Sequence, residues 1–475
     1  MNKFLKIALF CSLLFAGMTL KGEIAFPAFI SDGMVLQQQA TAPLWGKAPA
    51  GSSITVIPSW NNKEYVCETD SRGNWKVNVE TPEAGGPYSI TFREGNNAVI
   101  LSDILIGEVW LCSGQSNMEM PMKGFKNQPV ENATMDIVRS TNPRVRLFTV
   151  KRNSTLETRE DVSGEWLSAT PASVKEFSAT GYYFGRLLHE VLDVPVGLIC
   201  SSWGGSWVES WMDNEMLSSF PEVEIPRQES DIKEKNRTPT TLYNAMIAPL
   251  RGFSIRGVIW YQGESNYDRY ETYTGLFKAM VSGWRSEWGQ GTFPFYYCQI
   301  APYNYALVTP EGKEVINSAY LREAQLHAES EIENSGMVVL MDAGSKDGIH
   351  PAKKQVAGER LALHALSKTY GMEGISADSP VYKEMEIQGD TVVLSFDRAD
   401  MWLASPEGRL ENFTIAGSDR LFHEADAWIS RSKVHVRSDA VKAPVAVRYG
   451  FENWVEGDLF GTDGLPVSSF RTDNW

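Results

Sequence analysis

The chain has 475 residues, enough for two or three hydrophobic cores. Its 43% hydrophobic and 22% charged content is ordinary for a folded globular protein. With 44 Lys and Arg against 59 Asp and Glu, the net charge of −15 excludes nucleic acid or an anionic membrane as the main partner, because both demand a basic face.

Met1 to Lys6 form a basic segment and Ile7 to Leu20 an apolar run, with Gly17 and Gly22 placed for cleavage. The pattern predicts a secretory signal peptide over residues 1–22 and a mature chain that is periplasmic or extracellular. The run is short for a membrane anchor, and no later stretch is apolar enough to cross a bilayer. From 23 to 102, runs such as Ser53–Ile57, Trp75–Val79 and Tyr88–Phe92 are separated by Gly, Pro, Asn and Asp turns. They predict an N-terminal β module of the sandwich type.

From 103 to 375 the pattern alternates. Val196–Cys200, Arg256–Tyr261 and Pro294–Ile300 read as buried parallel strands, and Thr180–Leu192, Tyr273–Trp288 and Ser318–Glu331 show helical spacing. A last long helix is expected from Pro351, a favoured first-turn residue. This alternation predicts an α/β fold, a three-layer sandwich with a parallel sheet. From 376 to 475, strands such as Thr391–Phe396 and Val445–Tyr449 predict a C-terminal β module, open to packing on the first. Cys67, Cys112, Cys200 and Cys298 follow no disulfide framework and read as free thiols, the last three buried in strands. No metal-ligand spacing occurs, so no metal is expected.

Four stretches carry chemistry. The apolar run Val109–Cys112 stops at Ser113-Gly114, which would stand Ser116 at the carboxyl end of a strand, where ligands bind in open α/β sheets. Met118 breaks the nucleophile-elbow pattern G-x-S-x-G. Gly204-Gly205, just after the strand ending at Cys200, can present a bare backbone N–H to a ligand oxygen. Gln262, Glu264 and Asn266 follow an apolar strand and are costly to bury unless they are bonded. Asp347 lies three residues before His350, close enough to fix the imidazole tautomer and leave the far nitrogen as a base. Taken singly, each stretch has a plainer reading as a cap, a tight turn or a loop-propping network. His189, His327 and His364 fall on predicted helices, and His423 and His435 in the C-terminal module, which leaves His350 as the best base for Ser116.

Together, Cys112–Met120, Trp203–Trp207, Trp260–Asn266 and Asp347–Pro351 resemble the SGNH (GDSL-like) hydrolases, and specifically the sialate O-acetylesterase family. Ser31–Gln37, Leu242–Ile247, Leu321–Gln325 and Gly464–Asp473 also look like that family, so the resemblance covers nearly the whole mature chain. It implies a serine esterase that removes O-acetyl groups from sialic acids through an acetyl-enzyme, without a cofactor. By the same resemblance Ser116 is the nucleophile, His350 the base and Asp347 its orienting partner. The Ser116 and Gly205 amides would bind the oxyanion, with Gln115, Asn117 and Glu264 in support. The superfamily's Gly-x-Asn is replaced here by Gln262-Gly263-Glu264-Ser265-Asn266, leaving two side-chain donors to the oxyanion. Gln262 is favoured over Asn266 because it leaves the strand directly, and a donor must be rigid to act. Nothing in the motifs reads the sugar, so acetylated xylan or another plant glycan is the alternative substrate. A catalytically dead glycan-binding protein is the alternative of another class, opposed by the intact Ser116, Asp347 and His350.

Overall fold

In the computed structural model, which describes residues 24–399 and 402–475, one long strand joins two sheets. The expected signal peptide, with its boundary after residue 22, lies outside the described residues. Strand β1 (Asn97–Gly114, 18 residues) changes character halfway along. Its first half alternates exposed and covered positions, as a strand with one wet face must. Every residue from Ile104 onward is buried, because there the sheet is covered on both faces. The first half pairs antiparallel with Gly85–Glu94 and the stretch from Leu105 to Gly107 parallel with Val35–Gln37. The end of β1 then enters the central sheet. The boundary expected at 102/103 therefore falls inside a continuous strand.

The central sheet also contains β2 (Asn142–Thr149), β3 (Trp166–Ala169), β4 (Val196–Ser202), β5 (Gly257–Tyr261), β6 (Phe295–Cys298) and β7 (Ser335–Val338). Its order is β7-β6-β5-β1-β4-β2-β3, parallel throughout except for the β2–β3 pair at one edge. Successive side chains of a strand point to opposite faces, and the two apolar cores separate accordingly. Val109, Leu111, Val258, Trp260, Phe295 and Tyr297 face one core, with Phe277 and Trp284 of α3 (Tyr270–Trp288) and Leu321 of α4 (Ala319–Glu331). Trp110, Cys112, Ile259, Tyr261, Tyr296 and Cys298 face the other, with Tyr183, Phe184 and Leu188 of α2 (Ala179–Leu192) and Leu361 of α5 (Lys354–His364). Helices thus cover both faces of a mainly parallel sheet. Helix α5 starts at Lys354 instead of Pro351 because the carbonyls before it are bonded elsewhere: Pro351 O accepts from Lys354 Nζ and Ala352 O from the Glu131 amide. Cys67, Cys112, Cys200 and Cys298 are all free, the last three buried.

Glu108, fully buried in β1, ties these parts together. Its carboxylate accepts from Arg256 (2.7 and 3.1 Å), Gln37 (3.2 Å), Gln38 (2.6 Å) and Tyr370 (2.8 Å). These donors come from the N-terminal sheet, the lead-in to β5 and the segment after α5. Beyond residue 380, two four-stranded antiparallel sheets share one apolar core that includes Val392, Leu394, Phe413, Ile415, Val434 and Val447. This module docks on α4. The fully buried Arg322 of α4 donates to Gly450 O, Glu452 O and Ser469 Oγ. Among the described residues, no helix is long and apolar enough to cross a membrane.

Glu108→Ala should strip Arg256, Tyr370 and both glutamines of their shared acceptor and destabilise the fold by about 3 kcal/mol, because one partner of a buried charged pair is left uncompensated. A thermal scan should read this as a fall of roughly 5–10 °C in the apparent melting temperature. An unchanged scan would show that the modules are held by apolar contact alone.

Candidate active site

The end of β1 is shaped by a steric limit. Gly114 has φ +130°, and a Cβ there would stand 2.2 Å from the Tyr261 carbonyl oxygen, so only glycine lets β1 end this close to β5. The Gln115 amide then donates to Tyr261 O (2.9 Å), and the chain turns directly into the short helix α1′ formed by Ser116–Glu119. Ser116 leads that helix and keeps 9% of its surface exposed. Gln115 Oε1 accepts from the Gly263 and Ser265 amides (3.2 and 3.3 Å), tying the loop after β5 to the same turn.

The loop after β4 lies on the other side. Trp203 N donates to Gly114 O (3.1 Å) and Gly204 N to Glu119 Oε2 (2.8 Å). A Cβ on Gly204 would meet Ser116 Cβ at 3.2 Å, so the loop packs against the serine itself. Glu119 is held in turn by both arms of Arg152 (2.5 and 2.6 Å). The Gly204 carbonyl accepts from Asn236 Nδ2 (2.7 Å). A trans peptide points its N–H opposite its carbonyl, so this bond turns the Gly205 N–H away from Asn236. Among the described residues, neither the Ser116 nor the Gly205 amide donates to any acceptor. Two unspent N–H groups beside a serine are what an oxyanion needs.

His350 reaches the site from the loop before α5. Its neighbour Ile349 offers its carbonyl to Asn117 Nδ2 (3.1 Å), which brings the histidine loop onto α1′ next to Ser116. The imidazole Nδ1 is bonded to Gln128 Oε1 (2.6 Å), and the Phe125 ring meets it edge-on at 5.1 Å. An amide oxygen only accepts, so Nδ1 carries the proton and the lone pair sits on Nε2. Burial, helped by the positive charge of Lys354, pulls the His350 pKa down to about 4. The ring is therefore neutral at pH 7. No hydrogen bond joins Ser116 Oγ to His350 here, and such bonds commonly tighten only when substrate binds.

Two expected contacts are not formed in this structure. Asp347 is exposed and does not bond the imidazole; Gln128 takes that place. Residues 347–350 form a turn ahead of the helix, so the one-turn proximity that a helix gives to positions three apart does not apply. Gln262, fully buried, spends both amide hydrogens, on Ser206 O (3.1 Å) and Asn266 Oδ1 (2.7 Å), while Tyr273 donates to its oxygen. Asn266 is also inward, donating to Glu209 Oε2 (3.0 Å) and accepting from Val208 N (3.1 Å). Both amides brace the loops after β4 and β5 instead of facing an oxyanion. Gln115, Asn117 and Glu264 are brought together with Ser116, Gly205 and the His350 loop.

Several residues escaped the sequence reading. Gln128 and Asn236 sit in no recognisable motif and act from loops distant in the chain. Glu119 stands in the serine motif, but its partner Arg152 does not. Lys354 follows His350 by four residues but begins α5, so no helical spacing links the two, and its ammonium is buried against Asn117 Oδ1 (2.5 Å).

A family model of carbohydrate esterases described as sialic acid-specific acetylesterases matches residues 106–367. The sialate O-acetylesterase of Rattus norvegicus is 29% identical over 432 residues, covering 78% of this chain and 79% of that protein. The sialate O-acetylesterase of Homo sapiens is 30% identical over 395 residues, covering 76% of this chain and 74% of that protein. A crystal structure of a carbohydrate acetylesterase from Xanthomonas citri aligns with a TM-score of 0.86 at 36% identity, covering 95% of this chain and all of that one.

The buried imidazole beside Lys354 sets a pH expectation. The rate of p-nitrophenyl acetate hydrolysis should fall only as His350 gains a proton, so the acid limb of kcat/KM should lie well below the usual histidine range, near pH 4. Gln128→Glu places a carboxylate on Nδ1, favours the imidazolium and should move that limb up by roughly one to three units. Asp347→Asn should leave the limb in place. A shift with Asp347→Asn and none with Gln128→Glu would return the orienting role to Asp347.

Proposed function

The chain belongs to the sialic acid-specific acetylesterase family of carbohydrate esterases, and we propose that it removes O-acetyl groups from sialic acids with Ser116 as nucleophile and His350 as base. The observation that carries this is the serine at the end of β1, flanked by two unspent amides and joined through Asn117 to the loop that bears a neutral histidine. Ser116 Oγ attacks the acetyl carbonyl while Nε2 of His350 takes its proton. The carbonyl oxygen, now anionic, is received by the Ser116 and Gly205 N–H groups. Collapse expels the sugar hydroxyl, protonated by His350, and leaves an acetyl-enzyme. Water, activated by the same nitrogen, then releases acetate and restores the serine. Gln128 holds the imidazole in the required tautomer throughout.

A cleft of about 1410 Å³, lined by Trp207 and Arg237 next to the Gly205 loop, is the place proposed for the sugar. Trp207 stands on its wall with Arg269 over the ring at 3.9 Å and Arg237 at 5.6 Å. Arg237 Nε also donates to Gly205 O (3.1 Å). Arg269 is paired with Glu209 (2.6 Å) and Arg237 with Glu234 (3.2 Å). These two guanidinium groups are the contacts proposed for a sialic acid carboxylate, which would share or displace those partners. Carboxylates are more numerous than cations along the same cleft, which suits the hydroxyls of a neutral glycan and keeps acetylated xylan as the second reading.

Acetate release from O-acetylated sialic acid should exceed release from acetylated xylan, and Arg237→Ala or Arg269→Ala should narrow that gap. The reverse preference would assign the enzyme to neutral glycans. Ser116→Ala and His350→Ala should each abolish most turnover on either substrate, and the double variant should be little worse, because the two act as one unit.

The reading includes export, supported by the basic and apolar segments before residue 23. Amino-terminal sequencing of the protein recovered from the periplasm or medium should begin near residue 23. Recovery of the whole chain in the membrane fraction would overturn it.

A further inference from the structure

Asn117, the residue after the nucleophile, is nearly fully buried and spends its amide on three different elements. Its Nδ2 donates to Glu264 Oε1 (2.5 Å) and to Ile349 O (3.1 Å). Its Oδ1 accepts from Lys354 Nζ (2.5 Å), and the same ammonium donates to Pro351 O (2.9 Å). Ile349 and Pro351 are the two neighbours of His350. The carbonyl groups on both sides of the base are therefore held by two side chains that bond each other, one of them adjacent to Ser116. Asn117 is anchored in turn, its own carbonyl accepting from Thr180 Oγ1 of α2 (3.0 Å).

We propose that Asn117 and Lys354 are the positioning pair that sets the base His350 against the nucleophile Ser116. Lys354 is 1% exposed, and a buried ammonium is costly to keep. Apolar packing of similar volume would serve stability equally well or better, so the charge is retained for what it does to its neighbours. Burial draws its pKa down to about 7, opposed by Glu264 from the loop after β5 and by Cys298 from β6. The Tyr261 ring lies 5.9 Å from Nζ. On the other side the ammonium opposes protonation of His350, whose remaining close partners, Gln128 and Phe125, are neutral. The pair thus performs two tasks, fixing the loop and keeping the base unprotonated.

The inference rests on the reading of Ser116 and His350, and four variants separate the two. Asn117→Asp keeps the acceptor for Lys354 but loses both donations, and should lower kcat roughly 10²-fold with KM nearly unchanged, the cost of misplacing a base by about an ångström. Lys354→Met should do the same and also move the acid limb of kcat/KM up by roughly one unit, because a nearby like charge no longer disfavours the imidazolium. Lys354→Gln can still donate to Asn117 and Pro351, so it should move the limb equally while losing less than about tenfold in kcat. Near-normal kcat in Asn117→Asp, or an acid limb unmoved in both Lys354 variants, would overturn the proposal. Where Lys354→Met gives no folded enzyme, Lys354→Gln and Asn117→Asp decide. Turnover retained in Ser116→Ala would instead overturn the underlying reading of the site.

Discussion

Glu108 is the constraint on which the rest depends. A carboxylate with no exposed surface must have its oxygens satisfied, and here Arg256, Tyr370, Gln37 and Gln38 supply the donors. Those donors belong to segments that would otherwise meet only through apolar contact. The charge therefore sets the register of the N-terminal sheet, the start of β5 and the end of the helical layer on a single strand. From that fixed point β1 has seven residues, Glu108 to Gly114, in which to reach the sheet edge. All of its ladder bonds to β4 and β5 lie in that span, so the serine that follows is placed by a fully paired backbone.

What lies past the sheet edge is mostly backbone held by side chains. The serine turn is tied to Tyr261 O, the Gly204 peptide to Glu119 and Asn236, and the His350 loop to Asn117 and Lys354. Each tie comes from an element that is itself buried or clamped. Preorganisation of this kind matters because charge develops on the substrate oxygen only in the transition state, and a donor that must first move loses its advantage. The electrostatics point the same way. His350 meets a neutral amide at one nitrogen and feels a cation nearby, so its resting form is the free base. Such a base is weak. In the proposed mechanism the Ser116 and Gly205 amides offset this at the oxyanion, since among the described residues neither donates to an acceptor.

The sequence by itself determined the layers and the location of the chemistry. Apolar runs such as Val196–Cys200 and Arg256–Tyr261 are too continuous for a strand with one wet face, and the helical spacing between them demands cover on both sides. The observed strands and helices match those stretches to within a few residues. Strands β2 and β7 were not legible, because Asn142–Thr149 carries two arginines and Ser335–Val338 is short and contains a glycine. Ser116 and Gly205 could be named because each follows an apolar run that breaks into a turn, and His350 because it follows Asp347 by three residues while the other histidines fall on predicted helices or in the C-terminal module.

Only the tertiary structure decided which side chains orient the chemistry. Asp347 and Gln262 were the nearest candidates along the chain, yet Gln128 holds the imidazole and Gln262 braces two loops. Proximity in sequence ranks partners only where the backbone is regular, and residues 347–350 and 262–266 lie in turns. In turns a side chain's direction is set by whatever the surrounding elements leave unsatisfied. Gln128 lies more than two hundred residues from His350, and Asn117 a similar distance from Lys354. Hydrogen bonds over such separations exist only once the sheet has closed, because the packed core, and no local propensity, brings those loops within reach.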